Sequence, residues 1–333
     1  MENNIFGKLP SGELVHSYVI KGENTTATVI DYGATLTGLV AFGTDIVGGF
    51  DNIEAYLKNP GCQGNTIGRV SNRIKNSRFT IDGVEYKVVT NNNNHCLHGG
   101  LIFNHVIWQV ECVTDSSITL SYTSPDGEGG FPGELKSTVR YSMINDALVI
   151  DYKASADKKT PIGLTNHSYF NLDGFGGDIT EHKLKIFAKN YTEADKEIVP
   201  TGNRPEVSGT PFDFRELRRI GDGIDAGLSG YDHNFILSPE SYDKYLDKEV
   251  GLAAIVENGK LRLSVYTDQP GVQLYTGNGL LGNADFKGGV KAVKYGGLCL
   301  ETQREPNSVN HGIGIYDKGE EYTHICVYKV ERI

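Results

Sequence analysis

Near the end of the chain, "GGLCLETQREP" places Glu301 inside a run that otherwise reads as a buried strand. Alternation puts Leu298, Leu300 and Thr302 on one face and Cys299, Glu301 and Gln303 on the other. A carboxylate in such a strand costs free energy to bury, so it needs a cationic partner or a chemical task. In "LTNHSYFNLDG", Leu164 to Gly174, an extended run groups His167 with Tyr169 and Asn171. "PGVQLYTGN" pairs Gln273 with Tyr275, opposite Val272 and Leu274, and "GYDHNFIL" sets Asp232 before an apolar run. "GRVSNRI" joins Asn72 to Arg73, and "NHCLHGG" carries His95 and His98.

Each residue alone has an ordinary structural reading. A lone histidine is usually a satisfied core or surface residue, Glu301 can pair with Arg73, and Asp232 can cap a turn. Asn72 and Gln273 can serve backbone groups. Together they form a kit for a polyhydroxylated ligand: Asp, Asn, Gln and Arg for hydroxyls, an aromatic face, and a Glu/His pair for proton transfer. His95 and His98, three apart on a loop, are the one metal-like spacing, and no carboxylate stands close to them in sequence. The expectation is no metal. Phosphate loops, nucleophile elbows, His-Glu-x-x-His and dinucleotide fingerprints are all absent, so no cofactor is expected.

The elements that must position these residues are strands. Glycine supplies 41 of 333 residues, well above an average of roughly 7%, as many short turns require. Arg78 to Val89 and Leu135 to Ala154 read as hairpins around Asp82-Gly83 and Asn145-Asp146. "LVHSYVI", "TTATVID", "VIWQVECV", "SITLSYT", "LRLSVYT", "VQLYTG", "LCLET" and "YTHICVYKV" are further strands. Helical periodicity is confined to "DNIEAYL" and "DFRELRRI", with Asp51 and Asp213 as N-caps. Val199 to Arg215 has a linker's Pro and Gly, yet Phe212 and Phe214 predict a packed loop. The pattern predicts an all-β, mostly antiparallel sandwich or barrel, with 1–333 as one domain.

The net charge of −10 disfavours nucleic acid and anionic membranes as partners. No apolar run approaches the roughly 18 residues of a membrane span. Five cysteines without CxxC spacing read as free thiols, several of them buried, which points to a cytoplasmic setting.

Beyond the motifs already quoted, "DYGATLTGL", "TIGRVSNRI", "DGEGGFPGELK", "TPIGLTNHSYFNLDG", "GTPFDFR" and "LCLETQREPNSVNH" occur in an order that resembles the aldose 1-epimerases, the galactose mutarotases, over almost the full length. The resemblance implies a large antiparallel β-sandwich (a supersandwich) and a cofactor-independent isomerase for free aldohexoses such as galactose and glucose. It implies Glu301 as general base and His167 as general acid. It also implies Asn72, Arg73, His98, Asp232 and Gln273 on sugar oxygens, with Tyr169 lining the pocket. A monosaccharide is the expected partner, and the protein is expected to be a monomer or homodimer. Ser71, the loop before His95, and Arg304, Glu305 and Asn307 depart from the family pattern, the last three beside the implied base.

Anomer exchange needs one proton removed from the C1 hydroxyl, one given to the ring oxygen, and room for rotation. An unperturbed histidine pKa of about 6.5 would keep some His167 protonated near neutrality, with Glu301 ionised. A non-catalytic sugar-binding protein, a glycoside hydrolase using Asp232 and Glu301, and a hexose-phosphate mutarotase using Arg304 are the alternatives.

Overall fold

The computed structural model describes residues 4–58, 61–282 and 284–333. Both hairpins form as expected, Arg78–Ile81 with Val84–Lys87 and Leu135–Ile144 with Ala147–Ala156. Asn145, Asp146 and Asp82 all take the positive φ such turns demand. In Leu135–Ile144, Leu135, Val139 and Tyr141 are buried, while Lys136 and Arg140 face out. That alternation is how one face of the sheet becomes core.

Three sheets share the main hydrophobic core, which draws residues from Ile20 to Val330. The largest has ten strands. Along it, Gln109–Val113, Ser117–Ser124, Leu135–Ile144 and Ala147–Ala156 lead to Tyr322–Arg332, which pairs on its other side with Leu261–Thr267. Lys248–Glu257, Lys183–Ile186 and Arg218–Arg219 follow, with Tyr242–Tyr245 pairing Lys248–Glu257. A five-stranded sheet, Asn4–Lys8 to Thr44–Asp45, follows chain order. The third runs Ala188–Tyr191, Asp232–Leu237, Gly271–Tyr275, Cys299–Gln303. Every named strand pair in these sheets is antiparallel. The fold is therefore a large antiparallel β-sandwich.

Two helix expectations need correction. Ile53–Leu57 is helical, but Asn52 caps it, its side chain accepting from the Ala55 amide. Asp51 instead accepts from the Gly288 amide. "DFRELRRI" is not a helix: Arg218 and Arg219 join a sheet edge, and the Phe214 carbonyl accepts from the Ile186 amide. Asp213 is bound by the Arg215 guanidinium rather than capping, and the helix comes later, at Gly221–Asp225. Sheet pairing and burial of Phe214 outweigh the local periodicity. The loop of residues 199–215 is packed as expected, with Val199, Val207 and Phe214 buried.

His324, fully buried, ties the two segments that matter most. Its Nδ1 lies 3.0 Å from the Leu164 carbonyl and its Nε2 2.8 Å from the Thr302 hydroxyl. Leu164 and Thr302 stand three residues before His167 and one after Glu301. Burial lowers the His324 pKa to about 4, so the ring is neutral and bridges both segments. His324→Leu is expected to cost ~1–3 kcal/mol, because it takes the ring from the buried Thr302 hydroxyl and leaves the Leu164 carbonyl only its bond from the Tyr322 hydroxyl. Urea denaturation measures this, and a loss near zero would dismiss the brace.

Candidate active site

Glu301 and Gln273 face each other across neighbouring strands, and the next strand brings Asp232 opposite Tyr275. Val272, Leu274 and Leu300 point the other way into the core, so alternation aims the polar set at one cavity. A short ladder, Cys96 with Ile74 and Leu97 with Arg73, holds the remaining walls. Past its end the backbone turns left-handed at Asn72 (φ 58°) and His98 (φ 53°). These two residues latch each other: the His98 amide donates to the Asn72 carbonyl at 3.0 Å, and the Asn72 amide to His98 Nδ1 at 3.2 Å.

The cavity measures about 400 Å³ and is lined by Asn72, Arg73, His98, His167, Tyr169, Asp232 and Glu301 among others. These are seven of the eight residues expected from the sequence. Gln273, the eighth, sits opposite Glu301 without lining the cavity; its Nε2 donates to Asp232 Oδ1 at 2.6 Å, and its buried Oε1 has no hydrogen-bond partner among the described residues. Asn171 is turned away and donates to the Gly177 and Gly296 carbonyls. His95 does not join His98: its Nδ1 accepts from the Asn76 amide and its Nε2 lies 3.3 Å from Glu197. Cys62, Tyr275 and Asn92 line the cavity unanticipated. Tyr275 shares a strand face with Gln273, a clue that alternation offered. Cys62 and Asn92 carried none.

At the floor, His167 Nε2 stands 3.7 Å from Glu301 Oε1, both groups almost fully buried. Tyr169 packs on the His167 ring with centroids 5.2 Å apart and anchors its own hydroxyl on the Gly61 carbonyl. Ligand atoms of His98, His167 and Glu301 lie within 4.8 Å of one another. Because His98 Nδ1 already accepts a backbone hydrogen bond, its neutral ring carries its hydrogen on Nε2 and acts as a donor.

The electrostatics correct the expectation for the resting state. Burial lowers His167 to about 4. Burial first and the Asp232 carboxylate second raise Glu301 well above the carboxylate range, while Arg73 pulls it down. Low dielectric penalises both charged forms and so favours a neutral imidazole beside a protonated carboxyl. Asp232 is raised by burial too, against Arg73 and Gln273. Glu301 Oε2, buried, has no hydrogen-bond partner among the described residues, and an incoming hydroxyl would supply one.

Known proteins share both sequence and architecture. The aldose 1-epimerase family profile matches residues 16–329. The galactose mutarotase of Mus musculus is 41% identical over 98% of this chain and 97% of its own. The aldose 1-epimerase of Escherichia coli (strain K12) is 35% identical over 91% of each chain. The crystal structure of galactose 1-epimerase from Lactobacillus acidophilus NCFM superposes with a TM-score of 0.87 at 26% identity, covering 99% of both chains.

The chain belongs to the aldose 1-epimerase family.

Of the departures from the family pattern, the loop before His95 reaches the cavity through Asn91 and Asn92, and the others lie outside it. Arg304 donates to the Tyr316 hydroxyl at 2.7 Å, Glu305 accepts from Thr192 at 3.1 Å, and Asn307 Oδ1 accepts from the Lys75 amide at 2.9 Å. None of the three, nor Ser71, lines the pocket. Among the described residues no helix is long and apolar enough to cross a membrane.

Proposed function

We propose that this epimerase interconverts the α and β anomers of a free aldohexose, galactose or glucose, with Glu301 as base and His167 as acid. The observation that carries the reading is the 3.7 Å approach of a buried carboxylate and imidazole at the floor of a cavity walled with hydroxyl-binding groups. The galactose named for the relatives in mouse and L. acidophilus supports that sugar.

The resting pair carries one proton between its two members. Sugar hydroxyls donating to Glu301, together with Arg73, favour the ionised carboxylate, and the proton passes to His167 Nε2. Glu301 then takes the hydrogen of the C1 hydroxyl. The C1–O5 bond breaks with its electron pair going to O5, O5 takes the proton of His167, and C1=O1 forms. Rotation about C1–C2 turns the other carbonyl face to O5. Closure reverses each transfer: O5 bonds to C1 and returns its proton to His167, and O1 recovers one from Glu301. No electrons leave the sugar, and acid and base end as they began.

His98 supplies a fixed Nε2–H donor, while Asn72, Arg73 and Asp232 take the remaining sugar oxygens. Tyr169 offers an apolar wall. Gln273 orients Asp232 through its Nε2 and keeps its buried Oε1 open to a sugar hydroxyl. Among the described lining residues only Arg73 is a permanent cation, so the pocket favours an unphosphorylated sugar. A paired acid and base is more than a sugar-binding module would need. The chain 1–333 works as one domain, as a monomer or homodimer. The five free cysteines suit the cytoplasm.

Following the optical rotation of freshly dissolved α-D-galactose and α-D-glucose tests the activity, which falls if the protein leaves the spontaneous rate unchanged. The shared proton also predicts a broad plateau in kcat/KM around neutrality. Near pH 4 a second proton neutralises the base. Above the raised Glu301 pKa the last proton leaves and the acid is lost. Polarimetric rates across pH check this, and a steep change near 6.5 would contradict it.

A further inference from the structure

Cys299 stands two residues before Glu301 on one strand, fully buried, with its Sγ 3.5 Å from His167 Nδ1. The proton transfers above make no use of it. We propose that Cys299 is a positioning residue for His167: its sulfur accepts the Nδ1 hydrogen, fixing the tautomer in which Nε2 alone gains and loses the catalytic proton. This rests on the acid role of His167.

A reversible acid must give up the Nε2 proton and then take it back. The neutral ring must therefore keep its one hydrogen on Nδ1, because the other tautomer blocks Nε2. Which nitrogen holds the hydrogen is set by the bond the other nitrogen makes. Nδ1 of His167 has two acceptors beside it, Sγ of Cys299 and the ring's own carbonyl. That carbonyl already receives the Gly64 amide at 2.9 Å, and the sulfur, which the Tyr169 side chain also approaches, is the side-chain acceptor at Nδ1. The other groups around the ring are His98 and Tyr169 at 5.2 Å between centroids, Tyr275 at 6.5 Å, and Glu301 on the Nε2 side. Among the described residues no further side chain hydrogen-bonds Nδ1. His98 shows the opposite arrangement, with a backbone donor on Nδ1 and its hydrogen forced to Nε2.

A sulfur is an informative choice of partner. A carboxylate at Nδ1 would stabilise the imidazolium and weaken it as an acid. Burial, with the Glu301 and Asp232 carboxylates nearby, keeps the Cys299 thiol protonated and neutral. The imidazolium thus gains orientation without a counter-charge and stays strongly acidic, as protonation of a weakly basic ring oxygen requires.

Nitrogen-15 spectra of histidine-labelled protein at neutral pH are expected to show His167 with hydrogen on Nδ1 and a bare Nε2. In C299A the two tautomers should mix, and kcat should fall about 10-fold with KM unchanged. C299S, which keeps an acceptor, should recover most of the loss. A wild-type spectrum with hydrogen on Nε2 overturns the proposal, as does a C299A protein that keeps both the tautomer and full kcat. If C299A does not fold, the wild-type and C299S spectra decide. Turnover retained in H167N would instead remove the acid role itself, whatever tautomer is seen.

Discussion

Glu301→Gln is expected to lower turnover at least about 10²-fold, the ordinary contribution of a positioned base, while melting at a higher temperature than the wild type near neutral pH. The amide keeps the carboxylate's shape but cannot take the O1 proton. The stability gain follows from linkage. Glu301 has a folded pKa well above the ordinary carboxylate value, so its favourable contribution is present below the unfolded pKa of about 4.3 and is lost as pH rises toward the folded value. At neutral pH the wild type bears that cost and the amide does not. The difference in melting temperature should widen with pH above the ordinary carboxylate range and vanish below it. Scanning calorimetry and polarimetry on one preparation measure both. Unchanged turnover would strip Glu301 of its role, and a lower melting temperature at neutral pH would refute the desolvation account.

His167→Asn should likewise cost at least about 10²-fold in kcat with little change in KM, since the amide can hydrogen-bond O5 but has no proton to release. Its pH dependence is the sharper test. In the wild type, alkaline loss reflects departure of the proton held for O5. With His167 gone, the residual rate depends only on freeing the Glu301 carboxylate, so it should rise with pH where the wild type falls. Near-normal turnover, or a residual rate falling in parallel with the wild type, would exclude His167 as the acid.

The sequence exposed what depends on spacing. A carboxylate in the apolar run of residues 298–303 marked Glu301, and strand alternation put Cys299 beside it and Gln273 beside Tyr275. Hairpin turns at Asp82-Gly83 and Asn145-Asp146 are local chemistry and were readable as such. What depends on depth was not. His167 carries an ordinary histidine's expectation until neighbours from remote strands remove its water and lower it to about 4. Gln273 has the right facing, yet only the fold shows that its Nε2 is taken up by the side chain of Asp232. Cys299 reads as core because a thiol in a strand usually is core, and its contact with Nδ1 depends on a segment more than a hundred residues away in sequence. "DFRELRRI" shows the reverse error, a local pattern overruled by a sheet edge.

The strand Tyr322–Arg332 is paired on both sides, with Ala147–Ala156 and with Leu261–Thr267. During synthesis these two neighbours emerge first and wait with unfilled backbone edges until the keystone arrives. His324 rides on that same strand, so the brace between the His167 and Glu301 segments closes at the same moment. A polypeptide halted before residue 322 should therefore be both inactive and prone to clump through its open edges, making the finished catalyst an all-or-nothing product of the ribosome.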